Sequence, residues 1–71
     1  MSKSPSLTPK ELIRLLERKG FAFDRSKGSH QIYFNKEKKL RIVVPMHNKD
    51  LPTGTLHAIL KQAGIDKEEL I

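Results

Sequence analysis

Residues 21–45 read FAFDRSKGSHQIYFNKEKKLRIVVP, and this stretch decides the fold. Apolar and polar residues alternate through it in short runs, the period of half-buried strands. Phe21 and Phe23 share one face of a first strand. Ser26-Lys27-Gly28-Ser29 has turn chemistry. His30 to Asn35 alternates again, and Lys36-Glu37-Lys38-Lys39 reads as a polar hairpin tip. Leu40 to Val44 is rich in β-branched residues, and Pro45 stops it. Connections this short predict an antiparallel meander.

A helix is predicted on each side of the meander. Before it, Thr8 is an N-cap, Pro9 suits the first helical position and Glu11 completes a capping box. Leu12, Ile13, Leu15 and Leu16 form an apolar stripe, while Arg14, Glu17, Arg18 and Lys19 take the wet side. Gly20 supplies the left-handed stop. After the meander, a second helix starts near Pro52 or Thr53. It buries Leu56, Ile59, Leu60 and Ala63 and stops at Gly64. Asp66 and Glu69 suggest a capped final turn. The expected fold is α+β, in the order α-β-β-β-α. Two helices cover one face of a three-stranded antiparallel sheet, with Phe21, Phe23, Ile32, Phe34, Leu40, Ile42 and Val44 facing them. Gln31, Tyr33, Arg41 and Val43 are expected on the other face. The expected division is a flexible tail over 1–7 and a single domain over 8–71. The same element order occurs in double-stranded-RNA-binding domains.

Composition narrows the function. The chain has 71 residues, 14 Lys+Arg against 8 Asp+Glu, and a net charge of +6. At this size no large enclosed chamber is expected, and the charge favours a polyanionic partner. The absence of cysteine excludes a disulfide framework and a thiolate metal site. The apolar runs are too short to span a bilayer, and the leader lacks the apolar core of a secretory signal. The expected location is therefore cytoplasmic.

Gly28-Ser29-His30 is the sharpest local feature. Imidazole changes protonation state near neutral pH. Cutting RNA needs a base for the 2′-hydroxyl, an acid for the leaving oxygen and positive charge on the phosphorane. His30 can serve as base or acid, and Arg25, Lys27 and Arg41 can supply charge. The plainer alternative is that Gly28 makes a turn and His30 is a half-buried strand residue. Side-chain parity puts His30 with Ile32 and Phe34, which predicts a partly desolvated position at the rim of the helix–sheet seam. His47 is a second acid–base or phosphate-binding candidate, or a loop or cap residue. His57 lies beside a buried helix face and reads as structural. The histidines lack metal-ligand spacing, so neither a metal nor another cofactor is expected. Ser29, Lys36, Lys38 and Lys39 complete a candidate RNA-binding set with a salt-dependent footprint.

Taken in order, Gly20-Phe21, Lys27-Gly28-Ser29-His30 with Tyr33, Val44-Pro45-Met46-His47, Gly54-Thr55-Leu56 and the run Ile59-Leu60-Lys61-Gln62-Ala63-Gly64-Ile65 resemble the HicA toxins of toxin–antitoxin pairs. The resemblance covers nearly the whole chain. It implies a double-stranded-RNA-binding-like fold and sequence-relaxed mRNA cleavage that arrests translation. It also implies one catalytic histidine at His30, and a HicB-type antitoxin that masks the site and sets the oligomeric state. His47 matches a family position whose role is less secure. Two other functions compete: a non-catalytic module for duplex RNA, and a protein-interaction module whose basic face serves an acidic partner.

Overall fold

The computed structural model describes residues 7–46 and 49–66. Its order is α1 (Pro9–Arg18), β1 (Phe21–Lys27), β2 (His30–Asn35), β3 (Leu40–Pro45) and α2 (Thr53–Ala63). The strands form one antiparallel sheet in the order β1-β2-β3. Helix α1 packs on β1 and β3, and α2 packs on β3. The expected architecture is the observed one.

Local chemistry sets the helix ends. Thr8 Oγ1 accepts from the Glu11 N–H at 3.2 Å, and Glu11 Oε1 accepts from the Thr8 N–H at 2.9 Å. This reciprocal capping box satisfies donors that a first helical turn leaves orphaned. Gly64 takes the left-handed conformation after α2. Its N–H donates to Lys61 O at 3.2 Å, and the Ile65 N–H donates to Leu60 O at 2.9 Å. That pair is a Schellman motif, and it folds Ile65 into the core.

The core joins Leu12 and Leu16 of α1 to Leu56, Ile59, Leu60 and Ala63 of α2. Beneath them lie Phe21, Tyr33, Ile42 and Val44 of the sheet, with Leu51 and Ile65 closing the ends. Leu7, placed in the tail by sequence, instead packs on this core, and its carbonyl accepts from the Leu51 N–H at 2.8 Å. The rest of the expected tail, and the turn expected after Asp66, lie outside the described residues.

One expectation was inverted. Tyr33, assigned to the wet face, is only 5% exposed, whereas Ile32 and Phe34 are half-buried on the opposite face. The cause is the turn at Lys36–Lys39. Four residues between the strands pair Asn35 with Leu40, Tyr33 with Ile42 and Gln31 with Val44. Cross-strand partners share a face, so with Leu40, Ile42 and Val44 toward the helices the odd-numbered residues of β2 must follow. Phe23 takes the expected face but is not covered there. Its pairing with Tyr33 puts it on the helix side, but on outer strand β1 it is 55% exposed. Its ring meets Tyr33 edge-on, with centroids 5.7 Å apart.

Strand β1 then changes allegiance. Phe23 pairs with Tyr33 and Arg25 with Ile32, which leaves Asp24 as the extra residue of a β-bulge. Phe21 and Phe23 therefore lie on the helix side. Arg25 and Lys27, which pair with Ile32 and His30, lie on the open side.

Candidate active site on the open sheet face

His30 opens β2, between Lys27 of β1 and Pro45 of β3. It is exposed and stands on the open face, not at the helix–sheet seam expected from sequence. The inverted parity of β2 moved it there. The β1–β2 turn is also tighter than expected, because β1 continues to Lys27 and only Gly28 and Ser29 connect the strands. Gly28 has φ +60°, the first-position glycine of a II′-type hairpin. This turn brings Lys27 directly across from His30. Partners in such a pair have Cβ atoms about 5 Å apart. Arg25 lies diagonally across, opposite Ile32.

The chain leaving β3 returns to the same corner. The Met46 N–H donates to the Ser29 carbonyl at 2.8 Å. His47 itself lies outside the described residues.

Arg41 belongs to the same face but not to the same corner. It pairs with Phe34, four residues along β2 from His30, a separation of about 13 Å. Its guanidinium carbon lies over the Phe34 ring, 4.9 Å from the centroid. Asp24 Oδ2 accepts from Arg25 Nε at 3.3 Å and pairs with Arg41 Nε at 3.6 Å. One carboxylate thus spans two arginines on different strands. Each contact is weak alone: an exposed cation–π pair is worth about 0.5–1 kcal/mol and a surface ion pair about 0–1 kcal/mol. Together they orient the guanidinium plane over the Phe34 ring. The roles of Asp24 and Phe34 were missed from sequence, since nothing in the residue pattern marks the bulge that turns Asp24 toward Arg41.

The lysines of the β2–β3 turn stand apart. Lys36 and Lys39 are exposed at the end of β2 away from His30, roughly 17 Å along the strand. Lys38 is exposed as well, with its ammonium turned toward α2. Its Nζ lies 3.5 Å from where a Cβ on Gly64 would sit, against the C-terminal end of α2, a favourable place for a cation.

Tyr33, on the other face, is a support of the fold. Its hydroxyl donates to Gln31 Oε1 at 3.1 Å. Burial raises its pKa above the ordinary 10.0, and the charge of Glu17 adds to the shift. His57 is half-buried on α2. Among the described residues, no three His, Asp or Glu side chains gather as a metal ion would need. Nor is any helix long and apolar enough to cross a membrane.

A family model described as the HicA toxin of bacterial toxin-antitoxin matches residues 9–65. The chain belongs to the HicA toxin family. It is thus a toxin of a toxin–antitoxin system. A search among curated proteins finds no match to it. Each structural element of this HicA-family chain lies within the matched span, including the corner that carries His30.

Proposed function

We propose that the chain is an endoribonuclease that cuts mRNA and arrests translation without a metal ion, with His30 as its catalytic residue. The observation that carries this reading is the exposed imidazole of His30, facing Lys27 and diagonal to Arg25 on an open face. A phosphodiester on that face meets a proton-transfer group and positive charge together. His30 accepts the 2′-hydroxyl proton or donates one to the departing 5′-oxygen, while Lys27 and Arg25 stabilise the charge that builds on the phosphorane. Ser29, in the adjoining turn, and Arg41, Lys36, Lys38 and Lys39 extend the contact to neighbouring phosphates. His47 is proposed as a second acid–base or phosphate contact. The partner is a HicB-type antitoxin that covers His30 and sets the assembly state, and the working location is the cytoplasm.

General acid–base catalysis supplies about 10²–10⁴-fold, so His30→Ala is expected to lose cleavage by at least two orders of magnitude. Labelled RNA incubated with purified protein, with and without a chelator, tests the reading. Parental cleavage by the variant would sink the assignment of His30. Cleavage abolished by chelation would remove its metal independence. The α-β-β-β-α order also suits a non-catalytic module for duplex RNA. Salt-sensitive binding to duplexes that stay intact over long incubation would favour that module.

A further inference from the structure

We infer that Arg41, held by Phe34 and Asp24, is a stacking platform for an RNA base a short way along the chain from the scissile phosphate. This subsite rests on the proposed cleavage of RNA at His30. Three strands build it: Asp24 from the bulge of β1, Phe34 from β2 and Arg41 from β3. The Phe34 ring lies beneath the guanidinium at 4.9 Å, and the Asp24 carboxylate holds its inner nitrogen at 3.6 Å.

The arrangement leaves the outer side of the guanidinium available. The Arg41 side chain is 58% exposed although it touches two partners. Both contacts to Asp24 use Nε, which leaves the terminal amino groups of Arg25 and Arg41 outside them. A guanidinium plane is a stacking surface for unpaired bases, which single-stranded RNA presents and duplexes hide. An arginine sandwiched between Phe34 and a base would join π-stacking to cation–π attraction.

Spacing and charge favour a nucleotide over a protein side chain. Arg41 and His30 lie on one face, about 13 Å apart along the strands, so an extended chain can lay a phosphate on His30 and a nearby base on Arg41. Between and beside them stand Arg25 and Lys27. Four positive or protonatable side chains against one carboxylate suit a polyanion. The half-buried Ile32 and the exposed Val43 add apolar floor without a competing charge.

The experiment measures binding of fluorescent single-stranded oligoribonucleotides in the His30→Ala background, so that cleavage does not interfere. Arg41→Lys keeps the charge and loses the plane. It is expected to weaken binding about tenfold, the scale of one lost base stack. Phe34→Leu is expected to do the same, and a probe with an abasic nucleotide at the stacked position should erase both differences. Binding by Arg41→Lys equal to that of its parent would overturn the subsite and leave this surface to a protein partner. Equal weakening of intact and abasic probes would also overturn it, as a backbone effect. The cleavage reading fails on a different result, parental cleavage by His30→Ala. Absence of any RNA binding by the parent would overturn both.

Discussion

The side-chain amide of Asn35 donates to the main-chain carbonyl of Lys19 at 3.1 Å, joining the end of β2 to the end of α1. Its Oδ1 accepts from the Lys38 N–H at 2.9 Å, so the same side chain also holds the β2–β3 turn. Asn35 is only 2% exposed. Asn35→Leu would leave two partly buried main-chain groups unpaired, each costing about 1–3 kcal/mol. We expect a loss of about 2–4 kcal/mol, seen as a fall in melting temperature of more than 10 °C. A shift of only a degree or two would mean that water replaces both bonds.

The glycines before and after β1 should respond unequally. Gly20 has φ +95°, and an added Cβ would lie 3.2 Å from Asn35 Nδ2, inside the clasp just described. Gly28 has φ +60° and open space around it. Both alanine variants incur left-handed strain of about 1–2 kcal/mol, and only Gly20→Ala adds a crowded contact. Denaturant titration should rank Gly20→Ala as the more damaging, and the reverse order would contradict this account.

Stability at high pH should report on Tyr33. Its pKa is raised in the folded chain above the 10.0 of a free side chain, by burial and then by Glu17. Below about pH 10 both folded and unfolded chains keep the phenol protonated, so the shift has no effect. As pH rises through the unfolded value, the unfolded chain releases the proton first and folding loses stability. Thermal melts from pH 8 to 11.5 should therefore fall more steeply for the parent than for Tyr33→Phe. Parallel curves would show that other groups govern the alkaline limb.

His30→Ala should separate activity from stability. Because the side chain is exposed, removing it is expected to change stability by less than about 0.5 kcal/mol. Cleavage should nevertheless fall by two orders of magnitude or more. A large drop in melting temperature would revive the view that His30 is a packed strand residue.

The sequence made some features legible and hid others. Caps and stop residues marked both helices, because Thr8, Glu11, Gly20 and Gly64 act through local geometry that needs no tertiary context. Strand β3 was readable because Leu40, Ile42 and Val44 alternate against the charged Arg41. Strand β2 was readable as a strand, but its facing was not, because Ile32, Tyr33 and Phe34 offer an apolar surface on either side. Its facing was settled at a distance by the length of the Lys36–Lys39 turn and by the clasp that needs Asn35 inside. The position of His30 followed that choice. The pairing of Arg41 with Asp24 was hidden further, since it depends on one unpaired residue in a neighbouring strand.

That unpaired residue divides labour along β1. In a regular strand Phe21, Phe23, Arg25 and Lys27 would all share a face. The bulge turns the first two toward the helices and the last two toward the open face. One strand thus carries two unrelated demands, packing at its start and charge at its end, separated by a single inserted residue. Deleting Asp24 would therefore do more than shorten the strand: it would turn Arg25 and Lys27 inward and empty the open face of two of its charges.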